Sequence, residues 1–182
     1  MSSNAEQLVS VAGRLFRVRS AQPFVQADGP DGPPLNSHVR FLWRYSVATK
    51  EEISAFMKAE FPQARVVVEA IENHGAMVSL RTGRDDLRPG GTVSGPTLMT
   101  VADTALYVAI LGHIGIVPLA VTTSLTINFL RKPEATSRIV GDCKLLKVGR
   151  ALAVGEVYLY SDGSSEPVAH AVGTYSIPPN RP

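Results

Sequence analysis

The 182-residue chain is the size of one ordinary domain able to bury most of its apolar surface, and two independent domains would be cramped in it. With 45% hydrophobic residues, 19% charged residues and a formal net charge of +2, it is neither a disordered chain nor one with a basic stripe for nucleic acid. A single cysteine, Cys143, excludes an intrachain disulfide and a cysteine-rich metal site, so no metal is expected.

Residues 1–20 lack a continuous apolar core followed by a small-residue cleavage site. The longest apolar run, residues 101–111, is broken by Asp103 and Thr104 and is shorter than the about 20 residues a bilayer requires. A cytoplasmic protein without a membrane span is expected.

Weak helical spacing of Leu8, Val11, Leu15 and Phe16 predicts a helix over residues 4–18, and the Pro, Gly and Asp residues of 21–36 predict a loop or linker. Residues 1–47 therefore read as an N-terminal extension and 48–182 as the folded domain. Thr49 with Glu52 three residues on is a capping box, and Ile53, Phe56 and Met57 share one face of a helix that Pro62 stops. Residues 65–71 and 76–81 read as a hairpin turning at Asn73, His74 and Gly75, with His74 a turn residue. After a Gly/Pro-rich stretch at 83–91, Ser94 caps and Pro96 opens a helix running to Leu111 and ending at Gly112. Its residues are apolar nearly all round, which predicts a buried helix.

Four strands follow. Val121, Thr123, Leu125, Ile127 and Phe129 alternate with Thr122, Ser124, Thr126 and Asn128, and then come residues 138–147, 151–160 and 167–177. Short turns at Val148, Gly149 and Arg150 and at Asp162 and Gly163 make neighbours antiparallel. The predicted fold is α+β: one long buried central helix wrapped by an antiparallel meander of about six strands.

Asp103 is the anomaly in this pattern. Burying even an uncharged polar group without a partner costs on the order of 2–7 kcal/mol, so a carboxyl amid an apolar helix needs compensation or a purpose. Structurally it would hydrogen-bond Thr100, Thr104 or Tyr107 nearby; chemically it would serve as a general base.

Here the chain resembles the phenylacetate-pathway (PaaI-like) hotdog thioesterases. The resemblance spans residues 66–177. It rests on Gly91, Thr92, Val93, Ser94 and Gly95 opening a helix, on Val101, Ala102 and Asp103 within it, on residues 126–133, on Val148, Gly149 and Arg150, and on Ala171, Val172, Gly173, Thr174 and Tyr175. It implies the hotdog fold and hydrolysis of an acyl-CoA or acyl-carrier thioester, with coenzyme A entering as part of the substrate and no separate cofactor. It implies that Asp103 activates water or attacks the carbonyl, that the Gly95 N–H binds the oxyanion, and that Thr122 stands where some relatives place a water-orienting hydroxyl. It also implies self-association as a dimer, commonly doubled to a homotetramer.

This chain departs from the family at three positions. Relatives carry Asn at the position of Arg88, His at that of Ser94 and Gly at that of Pro96, and the Asn and His help orient the substrate. An Arg88 facing the site would pair with Asp103 of the partner subunit or clamp an anionic acyl group, and the expectation is an inward Arg88 that narrows the substrate range. Arg131, Lys132 and Arg150 are the expected holders of the coenzyme A phosphates, with Ser94 beside the substrate. Two function classes stand: a thioesterase, and a hotdog module that binds acyl-CoA without cleaving it. A hydratase of the same fold is disfavoured because no Asp/His pair opens a buried helix.

Overall fold

The computed structural model describes residues 6–11, 14–19, 48–72, 74–135 and 137–179. Strands β1 (Glu6–Val11) and β2 (Arg14–Arg19) pair as an antiparallel hairpin where a helix was expected. The β-branched residues Val9, Val11 and Val18 favour strand, and the weak helical spacing did not outweigh them. The linker expected at 21–36 lies outside the described residues.

Helix α1 (Lys50–Glu60) begins at the expected capping box, with Glu52 N–H donating to Thr49 Oγ1 at 3.2 Å and Thr49 N–H to Glu52 Oε2 at 2.8 Å. It buries Ile53 and Met57 and gives way to a 3₁₀ turn at Pro62–Ala64. Strands β3 (Val67–Glu72) and β4 (Gly75–Arg81) form the expected hairpin, and His74 takes its left-handed turn position at φ 63°. A 3₁₀ turn at Arg84–Asp86 and a minimal hairpin of β5 (Leu87–Arg88) and β6 (Thr92–Val93) deliver the chain to helix α2 (Gly95–Ile114).

Helix α2 runs three residues beyond the expected end at Leu111. Gly112 is an interior residue whose missing Cβ leaves room for Ile71, since a Cβ there would stand 2.7 Å from Ile71 Cγ2. The chain instead turns at Gly115, at φ 87°. At 20 residues α2 reaches the length of a membrane span, longer than its apolar run indicated, yet most of it is buried within the protein.

Strands β7 (Val121–Phe129), β8 (Arg138–Val148), β9 (Leu152–Ser161) and β10 (Pro167–Ser176) complete a six-stranded antiparallel sheet of order β3-β4-β8-β9-β10-β7. The expected pairing of sequence neighbours holds for β3 with β4 and for β8, β9 and β10. Strand β7 crosses to the far edge beside β10, and β8 returns to pair with β4. This crossover encloses α2 and leaves β3 and β7 as the edges.

The helix is seated at one defined point. Gly155 of β9 and Gly173 of β10 are directly paired, and both lie under Leu106. A Cβ at Gly173 would stand 2.5 Å from Leu106 Cδ1, and one at Gly155 would stand 2.7 Å from Cδ2. Leu106 is fully buried in this notch, worth about 1.5–3 kcal/mol by apolar burial. Gly173→Ala should overpack the seat and lower stability by about 1–3 kcal/mol. In urea unfolding the midpoint should fall with the slope unchanged, and an unshifted midpoint would contradict the seating.

Candidate active site

The sheet wraps α2 on one side only. Pro96, Met99 and Thr100 are exposed and Asp103 and Tyr107 half-buried, at the three- and four-residue spacing of a single helix face. The expectation of a helix buried all round fails on this stripe. Asp103 sits on it, half-buried rather than buried in the single chain.

The partners of Asp103 come from strands, not from its own helix. Thr122, second residue of β7, donates its hydroxyl to Asp103 Oδ1 at 2.6 Å. The Tyr175 hydroxyl on β10 lies 2.8 Å from the same oxygen and 3.0 Å from the Asp103 backbone carbonyl. Thr122 and Tyr175 are register partners across the β7–β10 pair, so one rung of the sheet supplies both hydroxyls. Two of the three expected helical partners are spent elsewhere, Thr100 on Pro96 O at 3.1 Å and Tyr107 on Pro118 O at 3.2 Å. Burial, and after it the Asp103 charge, pushes the Tyr175 phenol well above its ordinary value, so it stays protonated and remains a donor. With both hydroxyls on Oδ1, no described residue donates to Oδ2.

A cleft of about 370 Å³ opens beside Asp103. Phe56 and Phe61 at the end of α1, Tyr107 of α2, and Pro118 and Val121 form its apolar walls, with Glu60 also lining it.

Gly95 begins α2 eight residues before Asp103, about 12 Å away along the axis at 1.5 Å per residue. A Cβ on Gly95 would lie 3.1 Å from the Phe129 ring, which places it by the end of β7 opposite to Thr122. One chain thus brings Thr122 to Asp103 but keeps Gly95 apart from both. No described acceptor outside the helix takes the Gly95 N–H.

The other expected site residues fall as follows. Ser94 is the helix cap, its hydroxyl accepting from Thr97 N–H at 3.3 Å and lying 2.9 Å from Thr97 Oγ1. Arg88 is exposed on β5, so the single chain does not turn it inward as expected. Arg131 pairs with Glu166 and donates to Pro167 O at 3.0 Å, while Lys132 beside it is exposed. Arg150 lies in the β8–β9 turn, at the sheet end where Val121 meets Ser176, whereas Arg131 follows the end where Phe129 meets Ala169. In one chain these basic residues cannot converge on one set of phosphates. Among the described residues no group of three His, Cys, Asp or Glu side chains is placed to hold a metal ion.

Three residues escaped sequence reasoning. Tyr175 closed a motif without a role, though its place at an inward-facing strand position, two residues beyond Gly173, was a usable signal. Glu60 had no signal, since only the fold carries the end of α1 to the cleft. Asp86, almost fully buried at 2% exposure, organises the start of α2. Its Oδ1 meets the Arg65 guanidinium at 2.5 Å, its Oδ2 accepts from Gly83 N–H at 2.7 Å, and its backbone carbonyl accepts from Ser94 N–H at 2.8 Å.

A thioesterase superfamily model matches residues 90–168. Among solved structures, a candidate thioesterase from a Silicibacter species is 42% identical, with 73% of this chain and 94% of that one covered and a TM-score of 0.68. A single-residue variant of the phenylacetic acid degradation protein PaaI from Thermus thermophilus is 25% identical over 68% of this chain and 99% of that one, with a TM-score of 0.56. Zebrafish thioesterase superfamily member 2, 19% identical over 72% and 99% with a TM-score of 0.65, shares the fold. No curated protein sequence matches the chain.

The setting of Asp86 predicts an acid limb. Burial would push its carboxyl up, but the Gly83 N–H, the Arg65 guanidinium and Thr97 together outweigh that and hold it below its ordinary value of 3.8. A depressed folded value means stability that is present above 3.8 and lost as pH falls through the lower folded value. Asp86→Asn should be less stable at neutral pH and flatter in stability below about pH 4, read by urea unfolding across pH. An unchanged acid limb would contradict the assignment.

Proposed function

The chain belongs to the thioesterase superfamily as a PaaI-like hotdog protein, and on that premise we propose that it hydrolyses an acyl-CoA or acyl-carrier thioester with Asp103 as the reactive carboxylate. The observation that carries this is the asymmetry of the Asp103 carboxylate. Oδ1 is held by Thr122 and Tyr175, which fixes the group's orientation, while Oδ2 is left for chemistry at the edge of a cleft. Asp86, which is buried, has both oxygens bonded within the protein.

As general base, Asp103 takes a proton from water while the water oxygen bonds to the thioester carbon. The carbonyl π pair moves onto oxygen, and its return expels the thiolate, which leaves as thiol with the proton. As nucleophile, Asp103 forms a mixed anhydride with loss of thiolate, and water then opens the anhydride. Either route develops an oxyanion. The Gly95 N–H, at the positive end of α2, is a pre-oriented donor for it. Thr122 and Tyr175 act as positioning residues.

Since Gly95 and Asp103 cannot reach one carbonyl from a single chain, the proposed site is completed by a second copy. The exposed edge strand β7 supports this, with Val121 and Phe129 each 53% exposed beside the open stripe of α2. A two-fold axis through β7 would set the Thr122 end of one chain against the Phe129 end of the other, forming two equal sites. In such a pair Arg150 of one chain and Arg131 and Lys132 of the other would approach the same end, which is how they could serve the coenzyme A phosphates together. Ser94 would stay a cap near the substrate, and Arg88 would reach the site only across that interface.

Thiol release from a panel of acyl-CoA substrates tests the activity. Asp103→Asn should keep the fold, since the swap is nearly isosteric, and lower kcat by about 10²–10⁴-fold. Unchanged kcat in a folded variant would remove Asp103 from the chemistry. Tight acyl-CoA binding without thiol release by the wild-type protein would favour the non-catalytic binding module.

A further inference from the structure

We infer that Glu60 is a specificity-determining residue, which makes the cleft beside Asp103 select an acyl group ending in an ammonium over one ending in a carboxylate. The inference rests on the proposal that the acyl-thioester carbonyl is presented to Asp103, because the cleft is then where the acyl chain must lie.

Three observations converge. The cleft is lined by two carboxylates, Glu60 and Asp103, and by no lysine, arginine or histidine among the described residues. The nearby cations Lys58 and Arg65 line a separate groove. An acyl carboxylate entering here would lose water and meet like charge, with no cation among the described residues of the same chain's wall to pair it.

The walls also suit a cation. The rings of Phe56 and Tyr107 stand 6.4 Å apart, and those of Tyr107 and Tyr175 stack at 6.1 Å. The Tyr107 hydroxyl is tied to Pro118 O, so what the residue offers the cleft is largely its ring. Aromatic faces beside a carboxylate are the arrangement that attracts an ammonium.

Finally, no ion pair or side-chain hydrogen bond among the described residues ties Glu60 into the fold. Glu60 is the last residue of α1, where the helix dipole disfavours an acidic side chain. Lys58 lies two residues away, a spacing that does not face it on a helix. Glu60 is an exposed side chain, set against local helix preference and without a side-chain partner among the described residues, that lines the cleft and meets what enters it. The same charge pattern opposes the acidic acyl groups that an inward Arg88 was expected to clamp.

The test uses non-hydrolysable coenzyme A thioethers whose matched short chains end in methyl, carboxylate or ammonium. Their dissociation constants are measured calorimetrically for the wild-type protein and Glu60→Gln, with the methyl probe as reference. The wild type should prefer ammonium over carboxylate by about tenfold, and Glu60→Gln should reduce that ratio to about twofold. A wild type that prefers the carboxylate, or an identical ratio in a folded Glu60→Gln, would overturn the inference. Should the variant not fold, a wild type without the ammonium preference still overturns the inference. Thiol release from the corresponding thioesters separates the two readings. Charge preference without hydrolysis overturns the hydrolytic proposal alone, and hydrolysis without charge preference overturns the role of Glu60 alone.

Discussion

Everything at the site depends on how α2 is registered against the sheet, and the seat of Leu106 between Gly155 and Gly173 sets that register. Any side chain at either glycine would displace Leu106, and any rotation of the helix would lift Leu106 out of the notch. Asp103 lies three residues before Leu106, and Tyr175 lies two residues after Gly173 on the same side of its strand. The steric fit that locks the core therefore also brings the carboxylate to the Tyr175 hydroxyl. Slipping the helix by one residue would swing Asp103 by about 100° and break both of its hydroxyl contacts.

Two carboxylates serve α2, and their surroundings divide their roles. Asp86 is buried, saturated by Arg65 and Gly83, and holds the chain that leads into Ser94 and Gly95. Asp103 is half-buried, and the described residues donate to one of its oxygens only. The first arrangement resists change and positions the proposed oxyanion donor. The second keeps a lone pair in reserve next to a cleft. The carboxylate at the start of the helix is structural, and the one near its middle is the group proposed to react.

Much of the fold was legible because it rests on local signals. The capping box at Thr49, the turn at His74, the cap at Ser94 and the alternation of β7 each mark an element from a few neighbouring residues. What was not legible depends on distant packing. Gly112 looked like a helix end because only the folded chain brings Ile71 against it, and the sheet order was hidden because no local residue records which edge β7 will join. At the site, Asp103 stood out as a misplaced charge and Thr122 through the family resemblance. Tyr175 and Glu60 did not, since each acquires its meaning from a neighbour far away in sequence. The separation of the basic residues was hidden for the same reason, because proximity to a motif along the chain does not record that Arg150 and Arg131 stand at opposite ends of the sheet within one chain.

The proposed chemistry is divided between chains, because Gly95 and Asp103 lie on one helix yet too far apart to share a carbonyl. Subunit mixing tests this most directly. Asp103→Asn removes the carboxylate, and Gly95→Pro removes the N–H while remaining compatible with a first helical turn. Each variant alone should be inactive. Unfolded, mixed in equal amounts and refolded together, they should regain about a quarter of wild-type thioesterase activity, because half of the dimers are mixed and each carries one complete site of two. No recovery from a mixture shown to contain folded mixed dimers would contradict a site shared between subunits.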